Sequence, residues 1–390
     1  MDVTSNFRRG ETVANRNRVL RCADFAFLML RAGLIGFPGV GKTSLFQLLT
    51  SAREAPRTSG KTEANVGVAR VPDERLDRLT ALFNPRKRVP ATVEFADIAG
   101  AGGGRASAQA LLDVAAFRNA DALLHVVRLF RDPSVPHPAG SVDAARDVRT
   151  MEEELILADL GVVERRLERL ERDLKKGSNP ELRKEHEILT TCRAVLEEGR
   201  ALRTLSLGAE DQKRLKGFQF LSAKPVLLVL NLDETDLPHA DGAVALGGLE
   251  SFVSGASVRA VPICAKIELE IAQLEGPDAK AFMDDLGLRE SGLDRVIRAS
   301  YDLLGYISFF TVGEDECRAW SIPRDMPAVL AAGEIHGDIS RGFIRAEVVR
   351  YEALIARGSL PACREHGELR LEGKEYIVLD GDVINFRHAT

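Results

Sequence analysis

The stretch Gly36-Phe37-Pro38-Gly39-Val40-Gly41-Lys42-Thr43 decides the fold, because it matches the phosphate-binding pattern G-x-x-x-x-G-K-S/T. Residues 32–35, just before it, are apolar and short enough for a buried strand. Residues 44–49, just after it, have the apolar spacing of a helix. A strand, a glycine-rich loop and a helix in that order are the context that this motif requires, so the sequence predicts a phosphate-binding loop here.

The residue types of this loop suit a nucleotide. Glycines let backbone N–H groups close around phosphate oxygens, and the N-terminus of the following helix adds partial positive charge. We expect Lys42 to reach the β- and γ-phosphates and the Thr43 hydroxyl to ligate Mg²⁺. The predicted contacts to the nucleotide from this stretch are Gly36, Pro38, Gly39, Val40, Gly41, Lys42, Thr43 and Ser44.

Composition describes an ordinary globular protein. A length of 390 residues predicts two or three domains, and 45% hydrophobic and 28% charged residues are typical of a soluble chain. The net charge of −5 excludes a global attraction to nucleic acid, so any RNA contact needs a local basic patch. Five scattered cysteines without C-x-x-C pairs argue against a disulfide framework or a zinc site and favour a cytoplasmic location.

The N-terminal residues resemble a signal peptide only superficially. Arginines precede a short apolar run at residues 25–30, but cleavage there would remove the first predicted strand. The run is also too short to span a bilayer. We therefore expect residues 1–28 to be a disordered extension, with Met29 as a natural start and no membrane partner.

Strands and helices alternate after the loop. Strands are expected at 65–72, 93–97, 122–127, 225–230 and 257–263, and helices at 74–83, 105–118 and up to 294–304. This alternation predicts an α/β domain over residues 29–304 with a doubly wound, mainly parallel sheet. Ligands of such sheets bind at the carboxyl ends of the strands.

A helical hairpin is expected within that domain, at residues 142–207. Apolar residues step by three and four positions through a charged segment, which indicates a narrow seam between two antiparallel helices. The alternative is two ordinary surface helices packed on the core. The seam residues are Leu160, Val163, Leu167, Leu170 and Leu174.

Residues 305–390 have a different pattern. Short strands are expected at 307–312, 318–322, 344–349, 376–379 and 383–386. They predict a small, separate α+β domain.

Three further motifs follow the phosphate-binding loop in the order of a GTPase-type domain: Asp97-Ile98-Ala99-Gly100, Asn231-Leu232-Asp233-Glu234 and Cys264-Ala265-Lys266. In the wording and order of these motifs the chain resembles the YchF/Obg-like ATPase family. The likeness is most specific at Arg318-Ala319-Trp320-Ser321-Ile322-Pro323, Gly342-Phe343-Ile344-Arg345-Ala346-Glu347 and Glu372-Gly373-Lys374-Glu375-Tyr376-Ile377-Val378.

The resemblance covers residues 29 to 387 and implies several properties. They are a P-loop NTPase domain, a coiled-coil arm, a ubiquitin-like (β-grasp) TGS domain, a preference for ATP over GTP, and association with the ribosome or another RNA particle. We further expect a monomer.

The base preference also has an argument from residues. Guanine readers use a short aspartate where this chain has Glu234, whose extra methylene pushes its carboxylate into the guanine edge, and Leu232 replaces the lysine that covers the base. Adenine offers an amino group that the Asn231 side chain or a backbone carbonyl could accept. GTP stays open, because Asp233 could shift register. Cys264, Ala265 and Lys266 complete the expected base site.

For hydrolysis, Asp97 fits the role of holding Mg²⁺ through water, and Gly100 is the last residue of the same motif. Ala101 stands where Ras-like enzymes have a water-orienting glutamine, so catalysis rests on Lys42, Mg²⁺ and backbone donors and should be slow. Lys61 stands where the family has its switch threonine, so the second hydroxyl for Mg²⁺ is missing unless Thr62 supplies it. The glycine-rich switch at 101–107 is short.

These departures leave two readings of function open: a slow nucleoside triphosphatase, or a nucleotide-binding ribosome- or RNA-binding module with little or no hydrolysis. For RNA, the sequence offers the basic residues Arg86, Lys87 and Arg88, and Arg341, Arg345, Arg350 and Lys374 of the C-terminal part, unless these form a solvated charged face. Trp320, the only tryptophan, is expected in the core rather than as a platform for a base.

Overall fold

The computed structural model describes residues 31–51, 65–97, 114–177, 179–255 and 257–389. Within these ranges, no helix has the length and apolar character to cross a lipid bilayer. Several expectations fall outside the described residues and stay predictions. They concern the extension 1–28, Lys61, Thr62, Gly100, Ala101, the short switch at 101–107 and most of the helix at 105–118.

Six strands form the first sheet. They are β1 (Arg31–Ile35), β2 (Asn65–Arg70), β4 (Thr92–Asp97), β5 (Ala122–Arg128), β6 (Val226–Asn231) and β7 (Val258–Ile263), while the short β3 (Lys87–Val89) belongs to a second sheet. The order is β2-β4-β1-β5-β6-β7. Only β2 is antiparallel to its neighbour, and the other four pairs are parallel. The mainly parallel sheet is therefore as predicted.

Helices cover both faces of this sheet, because its central strands carry apolar residues on both sides. Leu124 and Val126 of β5 pack on one face with the first and last helices of the domain. Leu123 and Val127 pack on the other face with the root of a long helix. The helices up to residue 303 are α1 (Lys42–Ser51), α2 (Glu74–Phe83), α3 (Ala144–Lys176), α4 (Pro180–Glu197), α5 (Ala209–Leu215), α6 (Ala243–Leu246), α7 (Ala265–Ile271), α8 (Gly276–Asp285) and α9 (Gly292–Leu303).

The end of the helix predicted at 105–118 differs from expectation. Val114–Asn119 is a 3-10 helix rather than an α-helix. Its last turn closes with a bond from Ala120 N to Phe117 O, and Asp121 N then donates to Arg31 O of β1. The 3-10 turn is tighter than an α-helical turn, and directly after it Asp121 lies beside β1.

The predicted antiparallel hairpin is formed by α3 and α4. Asp143 caps α3 and Asn179 caps α4, each by accepting a bond from a backbone N–H of the first turn. Pro180 begins α4, where a missing N–H costs nothing. The hairpin has a core of its own, built from Val163, Leu167, Leu170, Leu189, Cys192 and Leu196, while Leu160 and Leu174 are half-buried.

A second sheet contains β3 and the C-terminal strands β8 (Tyr306–Thr311), β9 (Glu316–Pro323), β10 (Phe343–Arg350), β11 (Arg370–Glu372) and β12 (Asp382–His388). Their order is β11-β10-β12-β8-β9-β3. The central pair, β12 and β8, is parallel, and β8–β9, β10–β12 and β10–β11 are antiparallel. The helices of this part are α10 (Ala328–Ile335), α11 (Gly337–Arg341), α12 (Tyr351–Arg357) and α13 (Leu360–Glu365). Helix α10 packs on one face of the sheet through Ala328, Ala331 and Ala332.

The strand predicted at 376–379 was wrong. Ile377 makes only an isolated bridge with Pro327, and the extra strand is β11 instead. The cause is Asp382, whose side chain is fully buried. Its Oδ2 accepts the Tyr376 hydroxyl at 2.7 Å and Leu379 N at 2.9 Å, and these bonds fold the segment into a turn.

The two sheets are joined through β3 and α2. β3 lies parallel to β9, with Arg88 opposite Cys317. Leu76 and Leu79 of α2 share one core with Phe310 and Cys317 of the C-terminal sheet. The sequence did not predict β3, because three residues of largely charged sequence carry no apolar alternation.

Trp320, which was expected in the core, is half-buried and packs against the core of the C-terminal sheet. Its indole N–H donates to Thr311 Oγ1 at 2.9 Å, and its ring stacks on Phe309 with 6.3 Å between centroids. The Arg318 guanidinium lies over the ring, 4.0 Å from its centre. Phe309 and Arg318 therefore already take up contact area of this ring.

Arg75 tests the join between the sheets. Its guanidinium donates to Asp73 at 2.8 Å and to Asp380 at 2.7 Å, and it lies 5.2 Å from the Phe310 ring centre. We expect Arg75→Met to lower the free energy of unfolding by about 1–3 kcal/mol, because both carboxylates lose a charged partner. Urea unfolding measures this, and Arg78→Met on the exposed face of the same helix is the control. A loss no larger than that of the control would contradict a structural role for Arg75.

Candidate nucleotide-binding site

The phosphate-binding loop, residues 36–43, connects β1 to α1 and needs its glycines. Gly36, Gly39 and Gly41 have φ values of +143°, +75° and +100°, a region that other residues avoid. Space is closed as well: a Cβ at Gly36 would lie 2.5 Å from Val126 O, and one at Gly41 would lie 2.5 Å from Asn231 Nδ2. The glycine pattern therefore reflects local backbone geometry and close packing together.

Lys42 lies over this loop. Its ammonium donates to Gly36 O at 2.8 Å and to Phe37 O at 2.7 Å, and the residue is half-buried. Pro38, Gly39 and Thr43 are exposed around it, and Ser44 is half-buried. A positive charge and the first turn of α1 thus meet at one edge of the sheet, which is the arrangement that binds a phosphate chain.

Asn231 connects the phosphate-binding loop to the segment at Ala265, which is expected to bind the base. Its Nδ2 donates to Val40 O at 2.9 Å, and its Oδ1 accepts Ala265 N at 3.0 Å. Asn231 is 5% exposed and Val40 is 1% exposed, so both bonds are shielded from water. Both groups of the Asn231 amide are thus bonded to the protein backbone.

The two motifs expected to bind the base, residues 231–234 and 264–266, contain both buried and exposed side chains. Leu232, Cys264 and Ala265 are buried, and Leu232 packs in the core beneath the sheet rather than over a base. Glu234 and Lys266 are exposed and form an ion pair of 2.6 Å. The hydrogen bond and charge of Glu234 raise the pKa of Lys266, and burial raises the pKa of the Cys264 thiol. Glu234 and Lys266 are therefore the polar side chains that this edge presents.

The predicted Mg²⁺ residues are described only in part. Asp97 is the last residue of β4, in register with Leu34 of β1, so its backbone lies beside the strand that leads into the loop. Thr43 is exposed at the beginning of α1. Gly100 and Thr62 lie outside the described residues. Threonine and aspartate are residue types that supply the oxygen ligands Mg²⁺ prefers.

Sequence reasoning missed a buried arginine beside the loop. Arg128 ends β5 and is 2% exposed, and its guanidinium donates to the carbonyls of Phe130, Asp132 and Val135 at 3.1, 3.1 and 2.8 Å. This fixes the segment after β5 against the phosphate-binding loop, where a Cβ on Gly39 would lie 2.9 Å from Val135. A charged residue closing an otherwise apolar strand was the available signal.

Two histidines also lie close to this loop. His125 is fully buried on β5, and burial together with the charge of Lys42 lowers its pKa to about 3, so the imidazole is neutral. The ring of His137 lies 6.0 Å from that of Phe37, and its Nε2 is 2.9 Å from Asp147 Oδ2 in the first turn of α3. The sequence alone suggested no role for either.

The sequence and the fold of this chain both match known proteins. A family model described as a 50S ribosome-binding GTPase matches residues 31–176, and a model named YchF-GTPase_C, described as a protein of unknown function (DUF933), matches residues 306–389. The Bacillus subtilis (strain 168) protein named ribosome-binding ATPase YchF is 42% identical over 364 residues, covering 92% of this chain and 99% of that protein. The chain belongs to the YchF family.

Further members of the YchF family are similarly close. The proteins of the same name from Escherichia coli O157:H7 and Mycoplasma genitalium are 39% and 38% identical and are covered over 98% and 99% of their lengths, with 91% and 92% of this chain aligned. A solved structure, that of the Schizosaccharomyces pombe YchF GTPase, matches 92% of this chain and 97% of its own with a TM-score of 0.79 at 28% identity. The predicted family and fold class are confirmed.

Asn231 offers a direct test of the site. We expect Asn231→Ala to lower the free energy of unfolding by about 1–3 kcal/mol, because Val40 O and Ala265 N lose their partners in a buried place. We also expect nucleotide affinity to fall at least tenfold, since Asn231 no longer connects the phosphate-binding loop to the residues expected to bind the base. Urea unfolding and calorimetric titration with Mg-ATP measure the two effects.

Asn385→Ala is the matched control for that test, because Asn385 is exposed on the C-terminal sheet and donates to Glu347. It should change neither quantity appreciably. Unaltered affinity for Mg-ATP in Asn231→Ala would show that the phosphate-binding loop and the base-binding residues bind the nucleotide independently of each other.

Proposed function

We propose that this protein is a slow, Mg²⁺-dependent ATPase that acts as a ribosome-associated switch in the cytoplasm, as a monomer. The observation that carries the proposal is the glycine-rich loop, whose positive-φ glycines and half-buried Lys42 sit at the carboxyl end of β1. The names of the relatives, ribosome-binding ATPase, support the nucleotide and the partner.

We assign the magnesium ion to Thr43 and to Asp97, the latter through water, with Thr62 as a further candidate. When bound with the nucleotide, such an ion neutralises charge on the β- and γ-phosphate oxygens. The chain's own part is to hold and orient the phosphates: Lys42 would supply the positive charge, and the backbone N–H groups of residues 39–44 would donate to the oxygens.

ATP is favoured by the base edge. The Glu234 carboxylate is one methylene longer than the aspartate of guanine readers, and Lys266 holds it in an ion pair. Ala265 N is already bonded to Asn231 Oδ1. A guanine would therefore find neither a free short carboxylate for its two N–H groups nor that backbone donor for its carbonyl oxygen.

GTP is the second candidate. The family model that matches residues 31–176 and the fission yeast protein of known structure are both named as GTPases. Competition of ATP and GTP for one fluorescent analogue discriminates the two. A tighter apparent affinity for GTP would transfer the proposal to that nucleotide.

The third candidate, a binding module with little or no hydrolysis, follows from Ala101, Lys61 and the short switch. The intact Lys42, Thr43 and Asp97 favour an enzyme. Single-turnover hydrolysis, measured with and without ribosomes, separates the two candidates, because a module without catalysis forms no product in either condition.

Lys42 tests nucleotide binding. We expect Lys42→Ala to abolish the binding of Mg-ATP, because the loop loses the cation that faces the phosphates. Isothermal calorimetry checks this, with Lys280→Ala on the exposed surface of α8 as the control. Equal affinity in Lys42→Ala and the control would refute the placement of the phosphates.

Turnover tests catalysis. We expect steady-state hydrolysis well below the enzyme median of about 10 per second, because Ala101 cannot orient the attacking water. A coupled phosphate-release assay without any partner measures it. Turnover at or above that median would show that another residue orients the water.

A further inference from the structure

Helix α3 carries a basic stripe along its outer half. Arg165, Arg169, Arg172 and Lys176 are spaced by four, three and four residues, which places them on one side of a helix with 3.6 residues per turn. All four are exposed. At 1.5 Å per residue the stripe is about 16 Å long.

The arginines of the basic stripe have no acidic partner in the part of the chain that the structure describes. Among the described residues, Arg165, Arg169 and Arg172 form no ion pair. Arg165 and Arg172 instead donate to the helix carbonyls of Gly161 and Glu168, at 2.8 and 3.1 Å. Lys176 pairs with Asp173 and keeps 77% of its side chain exposed.

Most of the basic residues that stand out in the sequence are paired with acids, although Arg345 and Lys374 are exposed and form no ion pair with any described residue. Arg86, Lys87 and Arg88 pair with Asp315, Glu316 and Asp77, Arg341 pairs with Asp338, and Arg350 pairs with Asp382. Each of these paired residues has an acidic partner within the molecule, whereas the three arginines of the basic stripe have none among the described residues.

The chemistry of the stripe distinguishes between partners. Guanidinium groups donate two parallel bonds to a phosphate, and three of the four members are arginines. No aromatic or large apolar residue belongs to the stripe, although protein interfaces need such anchors at their centres. The net charge of −5 also excludes a general attraction to polyanions, so binding has to occur locally.

We propose that the basic stripe of α3 binds the phosphate backbone of RNA, and that this is how the hairpin contacts ribosomal RNA. The inference rests on the proposed ribosome association and names its surface. The seam between α3 and α4 holds the stripe straight, and Arg166 braces the two helices through paired bonds of 2.7 and 2.8 Å to Glu185. A rigid row of cations loses little freedom when it binds.

The test compares two triple variants of the full chain. Arg165, Arg169 and Arg172 are changed to Gln in the first, and Arg78, Arg289 and Arg324 in the second, which removes the same charge from exposed arginines elsewhere. Binding to purified ribosomes and to a short RNA duplex is measured at several KCl concentrations. Circular dichroism confirms that both variants keep their helix content.

We expect the first variant to bind ribosomes and duplex at least tenfold more weakly at low salt. The slope of log affinity against log salt should fall by about 2–3, because each phosphate contact contributes about 0.9. The second variant should match the wild type, and ATP hydrolysis without ribosomes should be unchanged in both.

Three results would overturn the inference. They are equal affinities and slopes for the first variant and the wild type, equal losses in the two triple variants, and no binding of the wild type to the RNA duplex. If the last came with loss of ribosome binding in the first variant, the partner would be an acidic protein surface. A wild type that binds ribosomes but not ATP would refute the ATPase proposal alone.

Discussion

The amide of Asn231 is the contact on which the site depends. It lies at the carboxyl end of β6 and bonds at once to Val40 of the phosphate-binding loop and to Ala265, where β7 passes into α7. Both bonds are buried, so neither exchanges with water at low cost. Three segments that are far apart in sequence are thus held in one geometry by a side chain with one donor and one acceptor group.

The same edge of the sheet shows how a nucleotide site connects to the rest of the molecule. Arg128 shapes the segment after β5 with three carbonyl contacts, and Val135 of that segment lies against Gly39. His137 then links the segment to Asp147 at the root of α3. A series of contacts therefore runs from the phosphate-binding loop to the root of the hairpin, and the hairpin carries the basic stripe.

On the other side, the C-terminal sheet is attached by more than a linker. β3 is part of that sheet although it lies between β2 and β4 in the chain. Leu79 of α2 packs in the same core as Cys317 of β9, and Arg75 bridges Asp73 and Asp380. The nucleotide domain and the C-terminal module thus share backbone pairing, apolar core and ion pairs.

The fold class was predictable because its signals are local. The loop needs three residues with positive φ, which favours glycine, and a buried parallel strand such as β5 needs a continuous apolar run. Caps at Asp143 and Asn179 likewise act within one turn of helix. The turn at Tyr376 was missed because its cause, Asp382, acts through a side chain that no local pattern reveals.

By itself the sequence determined the phosphate-binding loop, the strands of the first sheet and the hairpin, because glycine geometry and apolar periodicity act over a few neighbouring residues. Only the tertiary structure decided which charges are compensated. Arg86, Lys87 and Arg88 looked like an exposed basic patch but lie against acids, two of them in the C-terminal module, while Arg165, Arg169 and Arg172 of α3 have no such partner among the described residues. Ion pairing depends on distance in space, which a linear chain does not show.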